Sequence, residues 1–263
     1  MIIYDQILRD LENNLDNLSK SYPGLALLTR GKRIRSKLCL ISSSFGERPL
    51  DNRNTTLCLG IETFHAATLL HDDIIDRSET RRGPPATWKE YGNGMAIFLG
   101  DFLSGKATEF IAGLNNQITK AFAAMTEKVQ VGQILELAIR NRICLPTYEE
   151  WYKITESKTA SFFDFSSWAG AKLNKCPTDV IATLSNFGHN FGMAFQFIDD
   201  VSDLSSNSEE GLSIPCSTGE CCSEAGRFLN AAAKCLDMLP SASGKEELRK
   251  VIEELEIKCM TLS

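Results

Sequence analysis

Two stretches of this chain set three aspartates each into apolar sequence, and the pair constrains the fold more than any other feature. LLHDDIIDRS (residues 69–78) and FQFIDDVSD (residues 195–203) share the spacing Asp-Asp-x-x-Asp. Helical residues four apart share a face, so Asp72 and Asp76 stand one turn apart with Asp73 beside them, and Asp199 and Asp203 repeat this with Asp200. Like charges so placed weaken a helix by about 0.2–0.5 kcal/mol per pair in water, and by more beside apolar Leu69, Leu70 and Ile74. Something positive must offset them. One such motif reads as a solvated face or an N-terminal cap. Two, each entered by an apolar run such as AFQFI, do not, because an exposed helix does not carry apolar residues on every other side. Carboxylates without neighbouring histidines suit Mg2+, which keeps waters and shares phosphate oxygens. The EF-hand spacing is absent, and a glycosidase needs one acid and one base rather than two symmetric triplets.

Helical periodicity runs through nearly all of the 263 residues: Ile3, Ile7, Leu8, Leu11 and Leu15 make one face, and strand signals are scarce. The expected fold class is all-α, one helical bundle over residues 1–263. Breakers divide it at SYPG (21–24), FGERPLDNRN (45–54), RRGPP (81–85), YGNG (91–94), CLPT (144–147) and NKCPTD (174–179). The segment 204–226 is small, polar and glycine-bearing and reads as a mobile loop, followed by two amphipathic helices.

A net charge of −6 argues against a nucleic-acid surface. Basic residues nevertheless cluster in RGKRIRSK (30–37), with Arg30, Lys32, Arg33, Arg35 and Lys37, and again at Arg81 and Arg82. Read alone, RGKRIR is a solvated helix start or a nuclear-type basic run; beside two metal-binding motifs it suits small anions, phosphate above all. Nine cysteines without a dense paired layout read as reduced thiols of a cytoplasmic protein, and Cys216, Cys221 and Cys222 lack the histidines for a zinc site. The N-terminus is no signal peptide, and no apolar run reaches the roughly 18 residues a membrane span needs.

The ordered motifs GKRIR, HAATLLHDDIID, RRGPPATW, GNGMAIFLGDFL, GQILEL, ESKTASFF and FGMAFQFIDDVSD resemble the all-trans polyprenyl diphosphate synthases over about residues 30–203. In form they are nearest to the octaprenyl, polyprenyl and geranylgeranyl diphosphate synthases. The resemblance implies a bundle with a central cavity, an acidic motif on each of two facing helices, and a homodimer. It implies that an allylic diphosphate is held through two or three Mg2+ ions by residues matching Asp72, Asp73, Asp76, Asp199, Asp200 and Asp203. Arg81, Lys158, Thr159 and Gln196 match residues that hold the same diphosphate, and Lys32, Arg35, His65 and Arg82 match the isopentenyl diphosphate site. His71 and His189 are left structural.

In the family, product length is read from residues before the first motif, here Ala67 and Thr68, with Phe64 a turn deeper. Neither of the first two is aromatic, which favours a product longer than farnesyl (C15), while GQILEL leans toward shorter-chain members. The sequence departs from the family pattern at Arg30 and Ser36, where glycine and proline are usual, and no lysine follows Asp203 before Glu224. A non-catalytic subunit of a prenyl synthase and a short-chain synthase are therefore the alternatives, and a terpene cyclase would not need the Lys32, Arg35 and His65 site.

Overall fold

The computed structural model describes residues 2–205 and 217–262, with side chains for all of these except residues 2, 3 and 203–205. Eleven helices follow in order among the described residues: α1 Ile2–Ser19, α2 Ile34–Ser43, α3 Asn52–Asp76, α4 Thr87–Tyr91, α5 Asn93–Ala112, α6 Asn116–Arg140, α7 Tyr148–Thr155, α8 Ser161–Leu173, α9 Thr178–Ser205, α10 Thr218–Met238 and α11 Ser243–Met260. No strand forms among the described residues, only an isolated bridge between Thr80 and Pro85. Every breaker expected from sequence falls at a helix end, and one more break, at Gly113–Asn115, separates α5 from α6.

Two apolar cores lie on opposite faces of α2 and α8. Cys39 and Leu40 of α2, with Phe162, Phe165 and Ala169 of α8, join one core with α1, α3, α5 and α6. Leu38 and Ile41, with Phe163 and Ala171, join the other with α9, α10 and α11. A helix apolar on two sides is a buried helix, so α2 and α8 weld the halves together. Glycines let these helices close in: a Cβ at Gly170 of α8 would strike the carbonyl of Cys39, and one at Gly192 of α9 would sit 2.7 Å from Cα of Ala160.

Arg33 fixes the start of α2. It adopts the left-handed conformation (φ 53°) and turns its guanidinium inward to Glu12 of α1 (2.8 Å), Glu62 of α3 (3.3 Å) and the carbonyl of Leu28 (2.5 Å). The basic run is thus not a uniform surface patch, since Arg33 is a buried tie between three segments.

Two expectations need correction. Residues 218–226 do not belong to a loop, because α10 already begins at Thr218. Ser217 caps it through a reciprocal pair with Glu220, the Ser217 hydroxyl accepting from the Glu220 amide (3.3 Å) and the carboxylate accepting from the Ser217 amide (2.8 Å). Residues 204 and 205 close α9 and do not belong to a loop either, while 206–216 of the expected loop lie outside the described residues. Nor are all the cysteines free: Cys221 is disulfide-bonded, whereas seven other cysteines are free thiols.

Gly170→Ala should lose about 1–3 kcal/mol, because backbone has to move to admit the methyl. Gly226→Ala on α10, where nothing lies within 4 Å of the new Cβ, should be neutral or gain up to about 1 kcal/mol. Urea denaturation of the two variants checks this.

Candidate active site

Both acidic motifs sit at the far ends of their helices, not at N-caps. Asp72, Asp73 and Asp76 occupy the last turn of α3, which stops at Arg77 in the left-handed conformation (φ 54°). Asp199 and Asp200 lie in the last two turns of α9. Acids at a helix C-terminus meet the negative end of the macrodipole and the unpaired carbonyls, so these positions cost stability unless cations supply the balance.

Cations do supply it. Asp73, only 1% exposed, accepts Nε of Arg81 at 2.7 Å and pairs with its Nη2 as well. Asp76 accepts Nη1 of Arg140 at 2.6 Å; Arg140 also reaches Glu136 (2.7 Å), and buried Glu136 pairs in turn with Lys158. Asp199 accepts Nζ of Lys258, from α11, at 2.5 Å. Asp200 is oriented by neutral donors: Trp151 Nε1 donates to one oxygen (3.0 Å) and Gln196 Nε2 to the other (2.7 Å), while Thr159 donates to Gln196 (2.7 Å). The side chain of Asp203 lies outside the described residues.

Lys158 and Thr159 come from a π-helical turn, Glu156–Ala160, between α7 and α8. The extra residue in that turn re-aims side chains, a device frequent at functional sites. Gly132 of α6 makes room for it, since a Cβ there would lie 2.9 Å from Lys158 Cγ.

Burial raises the Asp72 carboxyl to about 6; the charge of Lys158 works against the shift, and the neighbouring Asp76 adds to it. Asp73 is also raised by burial, although Arg81 opposes the shift. Here the desolvation cost exceeds what the ion pair returns.

A second group forms around His65. Burial and the charges of Arg35, Arg82, Arg81 and Arg33 push its imidazole well below the ordinary value, so it is neutral near pH 7. Arg35 stacks over Phe163 (4.5 Å) and Phe162 (4.9 Å); burial holds its pKa down to about 10, and its Nε is buried without a hydrogen-bond partner. Arg82 donates to the Leu27 carbonyl (3.3 Å), and its guanidinium lies so close to Gly31 that a Cβ there would be 2.7 Å from Nη1. Exposed Lys32 follows immediately. The two departures from the family pattern are both put to use: Arg30 donates to the Arg82 carbonyl (3.1 Å), and Ser36 donates to Glu62 (2.7 Å).

Below the first motif, Ala67 is buried, and the Thr68 hydroxyl bonds the His65 carbonyl at 2.8 Å. One turn deeper Phe64 stands edge-on to Phe122 (5.4 Å) and Phe162 (5.5 Å). His71 packs on α5 at Gly100.

Asp72, Asp73, Asp76, Asp199 and Asp200 thus fall into one neighbourhood with Arg81, Lys158, Thr159 and Gln196, and Arg35, His65 and Arg82 into an adjoining one. Glu136, Arg140, Trp151 and Lys258 were missed. Glu136 stood in the quoted GQILEL run; Lys258 is 59 residues from its partner, and nothing local marks it.

The acids offer oxygen donors alone, and the Asp72–Asp76 repulsion is what a cation would relieve. No three potential ligands converge in a finished cage among the described residues. That donor set fits a hard cation that takes part of its coordination from water and a phosphate.

Fold and site define a helical protein that brings two carboxylate clusters and a guanidinium cluster together, with the isoprenoid synthase fold. The family model described as polyprenyl synthetase matches residues 21–213, and the chain belongs to that family. A geranylgeranyl diphosphate synthase of Saccharolobus solfataricus is 35% identical over 191 residues, covering 68% of this chain and 56% of the relative. An octaprenyl diphosphate synthase of Escherichia coli is 32% identical over 184 residues, covering 68% and 55%. The chain spans little more than half the length of these relatives. The crystal structure of a heptaprenyl diphosphate synthase from Staphylococcus aureus superposes with a TM-score of 0.84 at 23% identity, covering 96% of this chain and 97% of the other, which shows the shared fold. No described helix is long and apolar enough to cross a membrane.

In metal-free protein the Asp72 carboxyl should titrate near pH 6, and Mg2+ should lower that value. Carbon-13 NMR of the aspartate carboxyls, assigned with Asp72→Asn, reads it. The sign for stability follows: the folded pKa exceeds the unfolded value of 3.8, so the folded state holds the extra proton between about pH 4 and 6 and loses stability as pH rises through that window.

Proposed function

We propose that this protein is a head-to-tail trans-prenyltransferase, joining isopentenyl diphosphate to an allylic diphosphate with release of diphosphate. The observation that carries this reading is the division of the site: carboxylates with exchangeable cations on α3 and α9, and adjoining them Arg35, with an unpartnered Nε, near a neutral His65 and Arg82. The first group suits a metal-bound diphosphate and the second a metal-free one. Asp72, Asp73, Asp76, Asp199, Asp200 and Asp203 would hold two or three Mg2+ ions, which supply Lewis-acid stabilisation of the leaving oxygens.

Arg81, Lys158, Thr159 and Gln196 orient the allylic diphosphate and meet the charge that grows as its carbon–oxygen bond breaks. Lys32, Arg35, His65 and Arg82 hold isopentenyl diphosphate with its double bond toward the allylic carbon, and neutral His65 acts as a hydrogen-bond donor. The apolar surroundings exclude water that would quench the cation. The departing diphosphate takes the final proton, so no side-chain base is required. The sequence between Asp203 and Glu224 holds no lysine, and Lys258 gives the second motif its cation from α11.

Relatives in the family carry names for both C20 and much longer products, so length rests on this chain's own pocket. With small residues at 67 and 68 and the aromatic lattice one turn, ~5.4 Å, below, the first bulky stop lies at Phe64, and the product is longer than C15. A homodimer is supported by the apolar side chains that α5 and α6 leave outside, chief among them Phe98 (73% exposed) and Ile134 (66% exposed).

Incubation with Mg2+, isopentenyl diphosphate and geranyl or farnesyl diphosphate should yield elongated chains; no elongation would point to a non-catalytic subunit, and a cyclic hydrocarbon made without isopentenyl uptake to a cyclase. Asp72→Ala should lose turnover by orders of magnitude with the fold intact by circular dichroism. Phe64→Ala should lengthen the main product by at least one isoprene unit on product sizing. Lys258→Ala should lower turnover while reducing the Mg2+ concentration for half activity a few-fold, because a competing cation leaves Asp199.

A further inference from the structure

The other end of the bundle carries the opposite charge pattern. A cleft of about 600 Å³ opens there, and four of its eleven lining residues are basic, Arg48, Arg53, Lys172 and Lys175, with no acid among them. It is distant from the acidic motifs: α3 runs 19 residues from Arg53 to Asp72, roughly 29 Å at 1.5 Å per residue. Arg53 is partly neutralised by Asp51 at 2.5 Å, whereas Arg48, Lys172 and Lys175 have no ion pair among the described residues.

Two further features point the same way. Three long helices, α3, α6 and α9, begin at this cleft, and Arg53, Gln117 and Thr178 of their first turns line it; Asp51 caps α3 and Asp179 lies in the first turn of α9, so it is chiefly α6, capped by neutral Asn115, whose positive macrodipole end adds to the basic side chains. The wall is also fixed. Asn174, buried between Lys172 and Lys175, donates from its amide to the Arg48 carbonyl (3.0 Å), accepts the Arg48 amide on its own carbonyl (3.2 Å) and accepts from Asn54 (2.7 Å). Lys175 takes a left-handed conformation (φ 59°), in which glycine or asparagine sits more easily. Like charges held together on a rigid frame repel one another, and a bound anion would relieve this.

We propose that this cleft is a binding site for a phosphate group, separate from the reaction site, with Arg48, Lys172 and Lys175 as its principal contacts. The group is carried either by a soluble phosphorylated molecule or by a lipid headgroup; the two share the same chemistry and differ in how they reach the cleft.

The test is residue-resolved NMR of the isotope-labelled full chain, titrated with inorganic diphosphate in EDTA so that metal-dependent binding at the acidic motifs is silent. Saturable shifts of the Gln117 and Thr178 amides are expected, weakened about tenfold or more in Arg48→Glu and, independently, in Lys172→Glu. Shifts at Gly31 and Lys32, which report the reaction site, should be unchanged in both variants, as should turnover. Shifts that are absent, fail to saturate, or persist undiminished in both variants would overturn the proposal. Sedimentation with phosphatidic acid vesicles, lost in Arg48→Glu and competed by diphosphate, identifies a headgroup as the source; diphosphate binding without sedimentation identifies a soluble phosphate; sedimentation undiminished by Arg48→Glu counts against the site.

Discussion

Negative charge gathered at the C-terminal ends of long helices is the constraint on which the rest of this structure depends. Helices α3, α6 and α9 each end at the same place, and each brings carboxylates there: Asp72, Asp73 and Asp76, then Glu136, then Asp199 and Asp200. Neither helix dipole nor apolar packing favours acids in these positions. Arg140, on α6 itself, and Arg81, Lys158 and Lys258, drawn in from three other places in the chain, hold them, while burial still raises the Asp72 carboxyl. A site kept short of cations is one that a metal-bound diphosphate can enter with gain.

The same orientation of helices gives the bundle two electrical ends. Three N-termini and four basic side chains, three of them without an ion pair among the described residues, mark the end opposite the acids. Between them, α2 and α8 carry apolar residues on two faces and hold the halves at fixed spacing, with glycines at 170, 188 and 192 allowing the helices to approach closely. The π-turn at 156–160 is the local departure that this tight packing accommodates, and it places Lys158 within reach of Glu136.

Much of the site was legible because its parts are local. An Asp-Asp-x-x-Asp spacing projects onto one helix face whatever the tertiary structure, and glycine and proline punctuate helix ends by their own backbone limits. Ser217 with Glu220 is a capping-box spacing that marked the start of α10, yet the small polar residues around it masked the signal. The inward turn of Arg33 was not legible, because its partners Glu12 and Glu62 are distant in sequence and only packing brings them together. Lys258 is the same case at larger separation. The π-turn has no sequence periodicity of its own, since a single extra residue leaves the apolar pattern on either side intact.

On the proposed function the two acidic motifs act as one metal-dependent diphosphate clamp. Calorimetric titration with a non-ionising allylic thiolodiphosphate tests it without any turnover. Binding should require Mg2+ and be lost both in Asp72→Asn and in Asp199→Asn. Equal affinity with Mg2+ and with EDTA, or wild-type affinity in either variant, would contradict it.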